Sequence, residues 1–198
     1  MRLALAVIGL VVTSACGTYS MIRPADTLPK GKVELAAGLA ASSLEVNTIV
    51  HGAFGLTDRV ELLGQNEVWN TFGEVRYAVR RRGEGPLAVS IGLGGGYAIT
   101  LLSAVSGAAQ GNRANGAAGT ASVAVGHDWG RVAVTVGNRS FVLAPGYLAT
   151  STRAGIRVRI AGPLGALAEL GATYHAKLAV IAAGLAIAEG SLGLFFEF

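Results

Sequence analysis

Past residue 30 the chain alternates. In the run Lys32 to Leu39, the residues Val33, Leu35, Ala37 and Leu39 fall on one face of an extended segment, while Lys32, Glu34, Ala36 and Gly38 fall on the other. Residues 46–55 repeat the pattern, with Val46, Val50 and Phe54 on one side and Asn47 and His51 on the other. The spacing predicts further strands near 59–66, 71–80, 86–98, 117–127, 131–141, 148–160, 164–175 and 187–198. Tight turns at Thr57-Asp58, Arg82 to Gly85, Asp128-Trp129-Gly130 and Ala161-Gly162-Pro163 alternate with longer connections near 42–45, 67–70, 99–116, 142–147 and 176–186. The pattern therefore predicts ten antiparallel strands in up-and-down order. The count falls to eight if the segment near 59–66 is no strand, and rises to twelve if the apolar run Leu178 to Ala188 supplies two more.

Composition decides which face meets what. Hydrophobic residues make up 52% of the 198-residue chain and charged residues only 14%, with 29 glycines. A water-soluble domain carries roughly a quarter charged residues. A transmembrane helix needs about 18 or more consecutive apolar residues, and the longest clean run past the N-terminus, Leu178 to Ala188, is shorter. An apolar chain that spreads its hydrophobicity by alternation fits a closed barrel in a bilayer, where every second residue faces lipid. The expected fold class is thus all-β, an antiparallel up-and-down transmembrane β-barrel over residues 31–198. The formal charge of +4 comes from scattered arginines, and the one basic run, Arg80-Arg81-Arg82, leads into Gly83-Glu84-Gly85 as a solvated turn. No basic face for nucleic acid is expected.

The N-terminus reads differently. Arg2 precedes the apolar stretch Leu3 to Val12, then come Thr13, Ser14, Ala15 and Cys16, the only cysteine. This resembles the lipobox of bacterial lipoproteins, with Thr13 where that family prefers Leu. The resemblance implies a signal peptide over 1–15, lipid on Cys16, handling by the lipoprotein export machinery, and, with Gly17 next, delivery to the outer membrane. Residues 16–30, with Pro24 and Pro29, are then expected as a periplasmic linker between tether and barrel.

Two further stretches point to the same compartment. GAFGLTDRVELLG resembles hairpins common in Gram-negative outer-membrane β-barrel proteins. The chain ends GSLGLFFEF, with Leu192, Leu194, Phe196 and Phe198 on one face and Ser191, Gly193, Phe195 and Glu197 on the other. A terminal aromatic such as Phe198 resembles the signal read by the barrel assembly machinery. That resemblance implies outer-membrane lipids around the barrel, with its short turns and its lipid-anchored N-terminus on the periplasmic side. Aromatics are expected as two girdles: Phe54, Trp129, Phe196 and Phe198 at the periplasmic end, Trp69, Phe72, Tyr97, Phe141, Tyr147 and Tyr174 at the outer end, and Tyr77 between them.

Parity assigns the lumen. Glu34, Glu61, Glu74, Arg76, Arg139, Arg153, Arg157, Arg159, Glu169 and Glu197 are expected to face inward. Charges in a narrow lumen require partners, so the residues expected as a lumen charge network are Glu61, Glu74, Arg76, Arg153, Arg157, Arg159 and Glu169. Paired charges filling a small barrel imply a structural or binding role. A narrow pore for small solutes, with a local anion preference from the three arginines of one strand, is the alternative within that reading. From other classes come a surface-facing enzyme acting on lipid or peptide with His175 as base, and a conduit for apolar ligands suggested by residues 178–188. His51 is expected inward at mid-barrel and His127 at a periplasmic turn. No Cys/His spacing suits a metal, and the run Gly92 to Tyr97 lacks the Lys-Ser/Thr that a phosphate loop needs. No cofactor, metal or catalytic residue is therefore assigned.

Overall fold

The computed structural model describes residues 23–42, 46–67, 70–100, 114–143, 146–177 and 185–198. The proposed signal peptide, Cys16, Trp69 and residues 178–184 lie outside them. Ten strands follow one another: β1 (Val33–Ser42), β2 (Val46–Gly55), β3 (Val60–Glu67), β4 (Asn70–Arg80), β5 (Ala88–Thr100), β6 (Ala114–Asp128), β7 (Val132–Leu143), β8 (Tyr147–Ala161), β9 (Leu164–Lys177) and β10 (Leu185–Glu197). Each pairs antiparallel with its sequence neighbours, and β10 pairs with β1, so the sheet closes into a barrel with no free edge. The architecture is a closed, antiparallel, ten-stranded β-barrel.

The closing seam shows how register is set. Leu39 pairs with Leu192 and Gly38 with Gly193. A Cβ on Gly38 would stand 2.3 Å from the carbonyl oxygen of Leu192, so the two glycines let the first and last strands approach closely. Tight turns define one end of the barrel, here the short-turn end. There Gly130 (φ +94°) and Gly162 (φ +53°) adopt left-handed conformations that the turns require. The backbone N–H of Gly130 also donates to the Asp128 carboxylate.

Polarity runs inside out relative to a soluble protein. Leu170 is 74% exposed and Leu192 68%, while Glu61 is 0% exposed and Arg139 1%. Among the described strand side chains, the only exposed charged residues are Arg80 and Arg159, both near the short-turn rim. Charges point in and most large aliphatic side chains point out, with Ile49, Leu63, Leu143, Leu167 and Ile187 buried inside among the described residues, as alternation of period two arranges once the sheet closes.

Three expectations are corrected. The hairpin of β5 and β6 reaches Thr100 and Ala114, beyond the expected 98 and 117. On the β6 side its tip is Ala114, Asn115 and Gly116, which pair by backbone with Thr100, Ile99 and Ala98 and show no alternation. Phe72 and Phe141 are buried in the lumen, where their rings meet edge to face at 5.3 Å, so they belong to no girdle. Tyr77 lies opposite Val60, the first residue of β3, which puts it with the short-turn aromatics and not midway.

Candidate functional site

The lumen holds the molecule's chemistry. Glu34 on β1 and Glu61 on β3 each bind two guanidiniums. Glu61 Oε1 accepts from Arg76 Nη1 at 2.5 Å, and its Oε2 accepts from Arg23 Nη2 at 2.8 Å. Glu34 Oε2 accepts from Arg157 Nη2 and from Arg23 Nη1, each at 2.7 Å. His51 Nε2 lies 3.2 Å from the other Glu34 oxygen. Arg76 also donates to Ser90 Oγ at 2.6 Å, and the Arg157 guanidinium stacks on Phe195 at 3.9 Å. This is a desolvated layer of charge-assisted bonds near the short-turn end, spanning both sides of the barrel.

Two clusters lie farther toward the long-loop end. Arg139 Nε donates to Glu74 Oε2 at 3.1 Å, and its guanidinium sits 4.7 Å above the Phe72 ring. Ser122 donates to the other Glu74 oxygen, and the Gln65 amide donates to Glu67. On the opposite wall Arg153 pairs with Glu189, which also accepts from Thr173 Oγ1 at 2.7 Å. Glu169 accepts from Ser191 Oγ at 3.0 Å. Above these clusters an apolar layer of Phe72, Ala98, Ala118, Phe141, Leu143 and Ala149 packs in the lumen.

The structure therefore brings Glu61, Glu74, Arg76, Arg153, Arg157 and Glu169 into the interior, in several separate clusters. Arg159 stands apart from them. Its side chain is about half exposed at the rim, where it pairs with Glu197 at 2.8 Å. His175 is buried in the lumen wall of β9, and His127 lies at a short turn against Trp129. Phe198 closes the seam by backbone bonds with Val33, and its ring stacks on Phe196 at 6.0 Å.

Sequence reasoning missed Arg23, the residue that ties Glu34 to Glu61. Residues 23–30, read as the end of a linker, are folded into the short-turn mouth. Arg23, Ala25, Thr27 and Leu28 are buried there. Arg23 reaches Glu34 and Glu61, the Pro24 carbonyl accepts from Arg76 at 2.8 Å, and the Leu28 N–H donates to Glu61 at 2.8 Å. Thr27 Oγ1 and the Lys30 N–H bond to Asp58 in the β2–β3 turn. Asp26 faces the β4–β5 turn, where burial pushes its carboxyl above the ordinary value, against the pull of the Arg82 N–H and the Arg81 guanidinium. Glu189 was also missed, although it shares the inward parity of Ser191. It stands at the end of a run so apolar that its face was not read.

A cleft of about 320 Å³ remains at this mouth beside the docked segment. The segment supplies one wall, and the β6–β7 turn with the facing ends of β8 and β10 supplies the other.

No family model matches the chain, and no curated protein matches it. Among solved structures, a de novo designed transmembrane β-barrel is similar at a TM-score of 0.38 and 8% identity, over 87% of this chain and 99% of the design. OmpT, an outer membrane protein of Vibrio cholerae, is similar at 0.30 and 9% identity, over 84% and 98% of the two chains. Neisserial surface protein A is similar at 0.22 and 11% identity, over 84% and 95%. At these scores the likenesses carry no inference, and the barrel rests on its own hydrogen-bonded closure.

Proposed function

We propose that the chain is a bacterial outer-membrane β-barrel lipoprotein with a structural or binding role, its lumen filled by paired charges and capped from the short-turn side by its own N-terminal segment. The observation that carries this reading is the inversion of polarity. Glu34, Glu61, Arg76 and Arg139 are all but fully buried, while Leu35, Leu39, Val50 and Leu170 face outward. An apolar exterior that encircles the barrel suits hydrocarbon, and a closed sheet satisfies its backbone there.

In this reading the short turns face the periplasm. Cys16 carries the lipid after the export machinery has acted, and residues 17–22 span up to about 20 Å between leaflet and docked segment. Phe198 serves as the signal to the assembly machinery. Palmitate labelling in a Gram-negative host is expected for the natural chain and not for Cys16→Ser; labelling that survives the substitution overturns the anchor.

A wide channel would leave its lining wet, and the lining here is dry, so conduction is limited at most to slow passage of small solutes. The test is conductance in planar bilayers. The natural barrel is expected to hold a low, steady current. Arg157→Ala, which removes the bulk and charge between Glu34 and Phe195, is expected to raise it. An unchanged current in that variant contradicts a lumen plugged by pairs.

A further inference from the structure

The mouth cleft holds more positive than negative charge. Six arginines line it (Arg23, Arg81, Arg82, Arg131, Arg157 and Arg159) with four carboxylates, those of Asp26, Glu34, Asp128 and Glu197. Most are spoken for. Arg159 pairs with Glu197 at 2.8 Å, Arg82 with Asp128 at 3.3 Å, and Arg81 with Asp26 at 3.8 Å. Glu34 serves Arg23 and Arg157 together. Arg131 has no carboxylate partner among the described residues.

Backbone geometry makes this surplus costly. The Arg159 N–H donates to the Arg131 carbonyl at 2.8 Å, one step beyond the Val132–Val158 pair. The two arginines are thus directly opposite and on one face, Arg131 just before β7 and Arg159 near the end of β8. Like charges in that position destabilise a sheet. A third arginine joins them. Arg82, from the β4–β5 turn, passes over the β6–β7 turn, where a Cβ on Gly130 would stand 3.6 Å from Arg82 Nη2. Three turns or strand ends, far apart in sequence, therefore bring arginines to one cleft, and the carboxylates present do not neutralise them all.

We propose that this cleft is a binding site for a small phosphate-bearing solute, clamped by Arg82, Arg131 and Arg159. Phosphate brings close to two negative charges and three acceptor oxygens, enough for three guanidiniums at once. A single carboxylate brings one charge and two oxygens. Planar guanidinium forks match phosphate oxygens in pairs, which a lysine cluster would not do. The volume of about 320 Å³ is at the lower bound of small-ligand pockets. Its inner walls are the lumen-facing Ala133 and Phe195 and the docked segment, so the site opens along the barrel axis and not toward the lipid. Because Pro24, Asp26 and Thr27 form part of the wall, a bound ligand also favours the docked state of the segment, by linkage.

The test is calorimetric titration of the folded full chain in neutral detergent micelles with inorganic phosphate, at constant ionic strength. Saturable binding is expected, weakened about tenfold in Arg131→Ala and partly kept in Arg131→Lys. Arg80→Ala, which removes an exposed arginine outside the cleft, is expected to leave it unchanged. Arg131 is exposed in a turn, so its variants keep the barrel, which heat-modifiable migration on a gel verifies. Glycerol phosphate is expected to bind as inorganic phosphate does. Binding seen only when phosphatidic acid is added to the micelle overturns a solute site in favour of a lipid one. Acetate binding as tightly as phosphate, or equal loss in Arg80→Ala, reduces the cleft to a diffuse cationic patch and overturns the proposal. A flat phosphate titration on a folded barrel overturns it too, and leaves the membrane-barrel reading untouched.

Discussion

Replacing Arg23 by Ala should separate the docking of the N-terminal segment from the folding of the barrel. Arg23 donates to Glu34 at 2.7 Å and to Glu61 at 2.8 and 3.3 Å, three charge-assisted bonds in a dry layer. Truncating one partner of such a buried group costs about 3–5 kcal/mol, mostly because the other partner is stranded. Here neither carboxylate is stranded. Glu61 keeps Arg76 and Glu34 keeps Arg157. Without that penalty the loss is the net worth of the charge-assisted bonds, about 1.5–3 kcal/mol, and it falls on the segment, whose undocked fraction should rise by about one to two orders of magnitude. Glu61→Ala acts differently, because it removes the partner of Arg23 and Arg76 together and should destabilise the barrel itself. The assay places a cysteine at the buried Thr27, in a Cys16→Ser background, and follows maleimide labelling in micelles. Labelling should quicken at least about tenfold in Arg23→Ala, with little change in the urea midpoint of the barrel. The reasoning fails if labelling is unchanged, or if Arg23→Ala lowers the midpoint as far as Glu61→Ala does.

Two further substitutions probe the exterior and the mouth. Leu170→Arg, at the middle of β9 and facing outward, should cost about 2–4 kcal/mol in vesicle-folded protein. Leu170→Ala should cost far less, and equal urea midpoints for the two would deny that this face meets hydrocarbon. Asp26→Asn tests the raised carboxyl in the docked segment. A pKa raised on docking means the docked state is favoured at low pH and loses ground as pH climbs through the raised value. The Asn variant should therefore dock slightly more tightly than the natural chain at pH 7 and match it below about pH 4; the opposite order would show that the ionised carboxylate helps docking.

Much of the fold was legible because closure enforces period two on every strand. Glu34, Glu74, Arg139 and Arg157 were readable as inward from parity alone. The same parity places Phe72 with Glu74 and Arg76, and Phe141 with Arg139. Reading those aromatics by height along the strand and not by face is what put them in a girdle. The hairpin tip around Ala98 and Gly116 carries no alternation, so its pairing left no trace in hydropathy. Arg23 had no periodic signal at all. It sits beside a proline, and its partners lie 11 and 38 residues away. Its role depends on which strand ends the closed barrel gathers at one mouth. The arginine clamp was hidden for the same reason, since Arg82, Arg131 and Arg159 meet only when three hairpins stand side by side.

The chain's polarity is inverted relative to water, so it should fold only where a bilayer meets its outer face. The direct measurement dilutes the urea-unfolded mature chain into phosphatidylcholine vesicles and, in parallel, into plain buffer, following β-structure by circular dichroism and heat-modifiable migration on a gel. Folding to a heat-modifiable species is expected with vesicles, and aggregation without them. A folded, monomeric chain in plain buffer would contradict the account.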